Sequence, residues 1–156
     1  MANKLFQGEK MIVYTDGGSR GNPGPSAIGV VIGTRKYNEK IGDTTNNVAE
    51  YKAALFALKK LILLSGKKGA QELEVEIRTD SELMAKQING KYKVKDSELQ
   101  PLFMEIWNLK QDFKNVSFVQ IPREQNKEAD KLVNEALDIK GGNHHESGQA
   151  SFFGKH

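Results

Sequence analysis

The sequence predicts an α/β fold: a mixed five-stranded sheet, three antiparallel strands followed by two parallel additions, with helices on both faces. Three observations carry that prediction. "ELEVEIRT" (72–79) alternates strictly and puts Leu73, Val75, Ile77 and Thr79 on one face, the period of a half-buried strand. "NNVAEYKAALFALKKLILLSG" (46–66) instead repeats Ala54, Leu55, Leu58, Leu61 and Ile62 at intervals of three and four, the period of a helix. Short apolar runs joined by turn residues precede this helix, and helices separate the strands that follow it. A meander followed by helix-joined strands makes a mixed, layered sheet.

The elements follow in order. "MIVYT" (11–15) is an apolar run bounded by glycines, and "AIGVVIGT" (27–34) and "KYNEKIGD" (36–43) complete the meander. The long helix should stop at Gly66. After strand 72–79, "DSELMAKQI" (80–88) reads as a short helix capped by Asp80 or Ser81, and "NGKYKVKDS" as a loop. "ELQPLFMEIWNLKQDF" (98–113) is a third helix, with Leu102, Ile106, Leu109 and Phe113 in register and Pro101 tolerated in its first turn. "VSFVQI" (116–121) is the last strand. "PREQN" leads from it into "KEADKLVNEALDIK" (127–140), which "GG" ends. Residues 1–140 are expected to form one domain, and 141–156 a loosely held tail.

Composition narrows the function. A chain of 156 residues, 38% hydrophobic, is enough for one packed core. It contains no cysteine, which excludes disulfides, thiolate metal sites and a cysteine nucleophile, and fits a reducing cytoplasm, the expected location. The start has no apolar run of signal-peptide length, and "LILL" (61–64) is far too short to span a membrane. A net charge of +3 and a pI of about 9.0 mildly favour a polyanionic partner. "KYKVK" (91–95), three lysines around an aromatic, is either a solvated loop or a phosphate contact.

Four carboxylates stand in unusual places. Glu50 shares the apolar face of its helix with Ala54 and Leu58. Asp130 lies three before Val133 and seven before Leu137, and Asp16 ends a strand whose run implies burial. Asp80 sits where strand becomes helix, a boundary at which α/β proteins build sites. Each has a plainer reading: Asp80 as an N-cap, Glu50 as a first-turn acid favoured by the helix dipole, Asp16 as a turn starter, and Asp130 as an ordinary helix acid. The last is the weakest of the four, because Asp130 is expected well inside its helix, on the apolar face. Should the strands carrying Asp16 and Asp80 be neighbours, all four acids could meet. They would then need cations, and hard divalent ions, magnesium above all, match oxygen ligands.

Between Asp16 and the next strand, "DGGSRGNPGPSA" could be a turn, a phosphate cradle or one wall of a metal site. It lacks the lysine and hydroxyl residue of a P-loop and runs into a strand, which argues against a nucleotide-binding domain.

"YTDGGSRGNPGPSAIGVVI", "TTNNVAEYKAAL", "IRTDSELMAKQING" and "IPREQNKEADKLVNEAL" together resemble the ordered motifs of type 1 ribonuclease H, over Ile12 to Leu137. The resemblance implies a ribonuclease H-like fold and cleavage of the RNA strand of an RNA–DNA hybrid, leaving 5′-phosphate and 3′-hydroxyl ends. It implies that Asp16, Glu50, Asp80 and Asp130 hold two Mg2+ ions, with Mn2+ as an alternative. One ion would activate a water and the other stabilise the departing oxygen. It further implies that Gly17 and Gly18 approach the minor groove, that Asn46 and Asn47 touch it, and that Asn22 and Thr45 grip a phosphate of the DNA strand. A monomer without an obligate protein partner is expected.

The chain departs from the family pattern twice. The loop before the last acid, "IPREQNKEAD", has no histidine; Arg123 is the nearest substitute and cannot act as a base near neutrality. It could contact phosphate or pair with Glu124. Only "NGKYKVKDSE" stands where relatives insert a basic helix, so Lys91 and Lys93, with Lys95, are the candidates to replace it. Two rival readings keep the fold: a hybrid-binding module without catalysis, and a resolvase- or integrase-like nuclease.

Overall fold

The computed structural model describes residues 10–139. The expected tail and the "GG" stop lie outside the described residues. Five strands form one sheet: β1 (Met11–Ser19), β2 (Gly24–Ile32), β3 (Arg35–Thr44), β4 (Glu74–Thr79) and β5 (Asn115–Gln120). Four helices accompany them: α1 (Asn46–Ala70), α2 (Glu82–Ile88), α3 (Leu99–Lys110) and α4 (Lys127–Asp138). The strand order is β3-β2-β1-β4-β5. β1–β2 and β2–β3 are antiparallel, whereas β1–β4 and β4–β5 are parallel, as the predicted mixed sheet requires.

Alternation along the strands sorts the core into two layers. Ile28 joins Val13, Val30, Val75 and Ile77 in the larger cluster, beneath Phe56, Leu58 and Leu61 of α1 and Ile106 of α3. Its neighbour Ala27 faces the other way and packs against Val133 and Ala136 of α4. Helices therefore cover both faces. Gly66, at φ +79°, interrupts α1 where the stop was expected, and a further turn carries the helix to Ala70. Among the described residues no helix is long and apolar enough to cross a membrane.

The glycine-rich stretch departs from expectation. Asp16 does not end its strand: β1 continues through Gly17 and Gly18 to Ser19, with Asp16 opposite Gly29 and Ser19 opposite Ser26. Only residues 20–23 turn, with a cis Asn22–Pro23 peptide. A hairpin ladder imposes extended backbone on residues with weak strand propensity, because β2 supplies the partners. The stretch is a strand pair, not a cradle.

Candidate active site

β1 and β4 run side by side only as far as the pair Tyr14–Arg78. Beyond it β4 has only Thr79 left while β1 continues along β2 to Ser19, which opens a crevice at the carboxyl ends of two parallel neighbours. Asp16 and Asp80 flank this crevice. Glu50 enters from α1, and one carboxylate oxygen from each of the three acids lies within 4.8 Å of the other two.

Local structure decides between the readings of each acid. Ser81, not Asp80, caps α2, its hydroxyl accepting from the Met84 N–H at 3.1 Å, so Asp80 is free of that duty. Glu50 lies beyond the first turn of α1 and is buried, so the helix dipole does not account for it. It accepts a hydrogen bond from the Gly17 N–H at 3.2 Å. That contact needs β1 and α1 almost touching: a Cβ on Gly17 would lie 2.3 Å from the Ala49 carbonyl carbon and oxygen. Close packing against α1 thus explains Gly17. Gly18 is roomier, its Cβ position meeting only Val133 Cγ1 at 3.4 Å.

Asp130 corrects two expectations. It is exposed rather than on the apolar face, because the buried stripe of α4 runs Ala129, Val133, Ala136. It also belongs to the first turn of the helix, not its interior. Nevertheless it lines the same cavity, about 420 Å³, as Asp16, Glu50 and Asp80, with its carboxylate near Asp16. Gly29 permits this placement, since a Cβ there would meet the Ala129 carbonyl oxygen at 2.3 Å and hold α4 away from β2.

Electrostatics mark the cluster as incomplete. Burial, then the charges of Asp80 and Asp130, push the Asp16 carboxyl from 3.8 up to about 8, with Arg123 opposing. Burial, then Asp16 and Asp80, hold Glu50 well above the usual carboxylate range despite the Gly17 N–H and Arg123. Carboxyls that resist ionisation this strongly have too little counter-charge, Arg123 notwithstanding.

The same cavity brings in Gly17, Gly18, Asn46, Asn47 and Arg123. Arg123 forms no ion pair with Glu124 among the described residues, and its charge acts on Asp16 and Glu50. Asn22 and Thr45 stand just outside. The Asn22 side-chain carbonyl accepts from the Asn46 N–H at 3.0 Å, and Thr45 caps α1 by accepting from Val48 N–H at 3.2 Å. Both therefore do the ordinary turn and capping work of such residues. Asn46 in turn accepts from the Ser19 N–H at 2.9 Å, binding the hairpin to the helix. Lys91 and Lys93 are exposed but do not line the cavity; they follow α2 at its far end.

Sequence reasoning overlooked Arg20, which lines the cavity and pairs with Asp138 at 2.8 Å, and Asn126, which contacts Asp80 at 3.2 Å. Arg20 stood inside a stretch read for its glycines. Asn126 stood in a linker, where a single polar residue carries no periodic signal.

A family model described as "Reverse transcriptase-like" matches residues 14–136. The structure of LC11-RNase H1 in complex with an RNA/DNA hybrid is similar at 49% identity and a TM-score of 0.78, covering 83% of this chain and 97% of that one. RNase H1 from the halophilic archaeon Halobacterium salinarum matches at 37% identity and a TM-score of 0.75, over 83% and 98% of the two chains. The Mycobacterium tuberculosis protein named "Bifunctional protein Rv2228c" is 37% identical over 136 residues, 83% of this chain. The chain spans only 36% of that relative's length. With a family model over most of its length and solved ribonuclease H1 structures matched nearly end to end, this chain belongs to the type 1 ribonuclease H family.

Proposed function

We propose that this chain is a metal-dependent ribonuclease H, an endonuclease hydrolysing the RNA strand of RNA–DNA hybrids. The observation that carries the reading is the convergence of Asp16, Glu50 and Asp80, with oxygens within 4.8 Å of one another. The donor set fits hard divalent cations: it offers carboxylate oxygens alone, and it is too buried to carry its charge unaided. Mg2+ is the proposed ion and Mn2+ the alternative. When bound, a pair of such ions supplies an activated water and neutralises charge on the departing 3′ oxygen, leaving a 5′-phosphate.

The chain's own residues do the rest. Asp16, Glu50 and Asp80 form the inner ligand set, and Asp130 closes it from the exposed side. Asn46 and Asn47, on the cavity wall, offer amides to the sugar edges and 2′-hydroxyls that distinguish RNA. Asn22 uses its carbonyl internally, which leaves its amide protons to donate to a DNA-strand phosphate, beside the Thr45 hydroxyl. Arg123 holds a scissile-region phosphate by charge and cannot exchange the proton a histidine would. Gly17 and Gly18, on the cavity wall, offer backbone to the minor groove. A monomer suffices, since one chain carries all four acids.

The deciding experiment is cleavage of a hybrid labelled on the RNA strand, with duplex DNA as competitor. Internal RNA cuts that require metal and leave 5′-phosphate ends are expected. Folded protein that bound the hybrid yet left it intact in both Mg2+ and Mn2+ would turn the reading into that of a binding module. Strong competition by duplex DNA would favour the resolvase-like branch.

Lys91 and Lys93 make a separate prediction. Replacing both with alanine should raise KM several-fold with little change in kcat, because phosphate contacts remote from the acids bind substrate and transition state alike. The dependence of log KM on log salt should flatten by about 1 to 2. An unchanged salt slope would assign "KYKVK" to plain solvation.

A further inference from the structure

Asn126 is 1% exposed, although it sits between a turn and the start of α4. Its side-chain amide donates to the Thr15 carbonyl at 2.9 Å and to Asp80 Oδ2 at 3.2 Å. Thr15 lies just past the last β1–β4 pair, where β4 has only Thr79 left and no longer pairs with β1. A buried carbonyl there needs a donor from elsewhere. Asn126 provides it and at the same time reaches Asp80 across the gap.

Both partners are acceptors, so only the NH2 end of the amide can face them. The Asn126 Oδ1 is consequently left buried with no hydrogen-bond partner among the described residues. An orphaned buried acceptor keeps the full cost of its lost hydration. Packing alone gives no reason to keep such a residue, whereas a held carboxylate does. The backbone of Asn126 adds to the connection, donating to the Arg123 carbonyl at 2.9 Å and accepting from the Asp130 N–H at 3.1 Å. One residue therefore joins the strand of Asp16, the carboxylate of Asp80, the turn of Arg123 and the helix turn of Asp130.

We propose that Asn126 is a positioning residue that holds Asp80 Oδ2 against the Thr15 carbonyl across the gap between β1 and β4, fixing the side-chain orientation in which Asp80 completes the metal-binding carboxylate cluster. This rests on the metal reading above. Outer hydrogen bonds to a ligating carboxylate orient it and set metal affinity.

The test is calorimetric titration of the full chain with Mn2+ alone, without nucleic acid. Four proteins are compared: wild type, Asp16→Asn, Asn126→Ala, and Val116→Ala, a buried β5 position remote from the cluster that serves as a stability control. Asn126→Ala should weaken Mn2+ binding about 10- to 100-fold, while Val116→Ala, with a comparable loss of Tm, binds as the wild type does. Should Asn126→Ala fail to fold, Asn126→Ser keeps a donor and should show a smaller weakening in the same direction. Wild-type affinity in the Asn126 variant overturns the proposal and leaves the metal reading standing. Equal weakening in Val116→Ala overturns it as well, since general loosening would then explain the effect. A wild type that binds no Mn2+, or binds it no better than Asp16→Asn, brings down the metal reading and this proposal together.

Discussion

Replacing Asp16 with asparagine should abolish cleavage and, in the absence of divalent metal, make the protein more stable. The loss of activity follows from its place: Asp16 is central to the cluster, near Glu50, Asp80 and Asp130. Removing one charge-stabilising group from a site of this kind costs on the order of 10²- to 10³-fold in kcat, and a shared ligand should cost at least that. The gain in stability follows from burial. The Asp16 carboxyl is raised to about 8 in the fold, so between pH 4 and 8 the folded chain holds a proton that the unfolded chain has released. Stability of the metal-free protein must therefore fall as pH rises through that window and level off above it.

Asparagine removes the penalty. Its advantage in denaturant melts with a chelator present should be small at pH 4 and grow toward pH 8.5. It should reach on the order of 2 kcal/mol, because each tenfold change in proton affinity is worth about 1.4 kcal/mol and neighbouring acids share the proton. Added Mg2+ should stabilise wild type and not the variant. An asparagine advantage that is the same at both ends of the range would show that Asp16 carries no uncompensated burial.

Gly17→Ala and Gly18→Ala should behave oppositely although the residues are adjacent. A Cβ on Gly17 would sit 2.3 Å from two Ala49 backbone atoms and 2.6 Å from Glu50 N, none of which can swing aside. β1 or α1 must move, and forced overpacking of a core contact costs about 3 kcal/mol, a drop of roughly 10 °C in Tm for a domain of this size. The same movement lengthens the Gly17 N–H to Glu50 bond and separates Glu50 from Asp16, so metal-dependent activity should collapse as well. Gly18→Ala meets one flexible side-chain carbon at ordinary contact distance and should change Tm by little. Equal effects of the two substitutions would remove the close approach of β1 and α1 as the reason for glycine. Comparing thermal melts with hybrid cleavage settles both.

Much of this was legible in the chain itself. The alternation of 72–79 and the helical period of 46–66 reappear as β4 and α1 because periodicity reports which face is buried, whatever covers it. Glu50 was visible by contradiction, as a charge on an apolar face, and Asp80 by its place where strand becomes helix, whereas Asp16 was found at a strand end that the structure moves on to Ser19. Asp130 was found through a spacing that the structure corrects: its distance in sequence from Val133 and Leu137 fits an apolar face, yet Ala129 takes that face and leaves Asp130 exposed beside it. Small alanines hide a buried stripe from a reader counting large apolar residues. Lys91 and Lys93 were visible as charge alone, which carries no position.

By itself the sequence determined what is local: the strand and helix periods, a helix start at Asp80 or Ser81, a break in the long helix at Gly66, and the presence of acids whose burial would be costly. Those properties depend on neighbours within a turn or a pleat, and so they are written in short windows of the chain. Tertiary structure alone decided that Glu50 lies within reach of Asp16 and Asp80, that Gly17 serves α1, and that Asn126 spans the gap beyond Tyr14 and Arg78. Each of these depends on the register of β1 against β4 and on how deeply α1 and α4 settle on the sheet. Such distances arise from packing the whole core at once, and a shift of one residue in one strand would scatter the site while leaving every local signal unchanged.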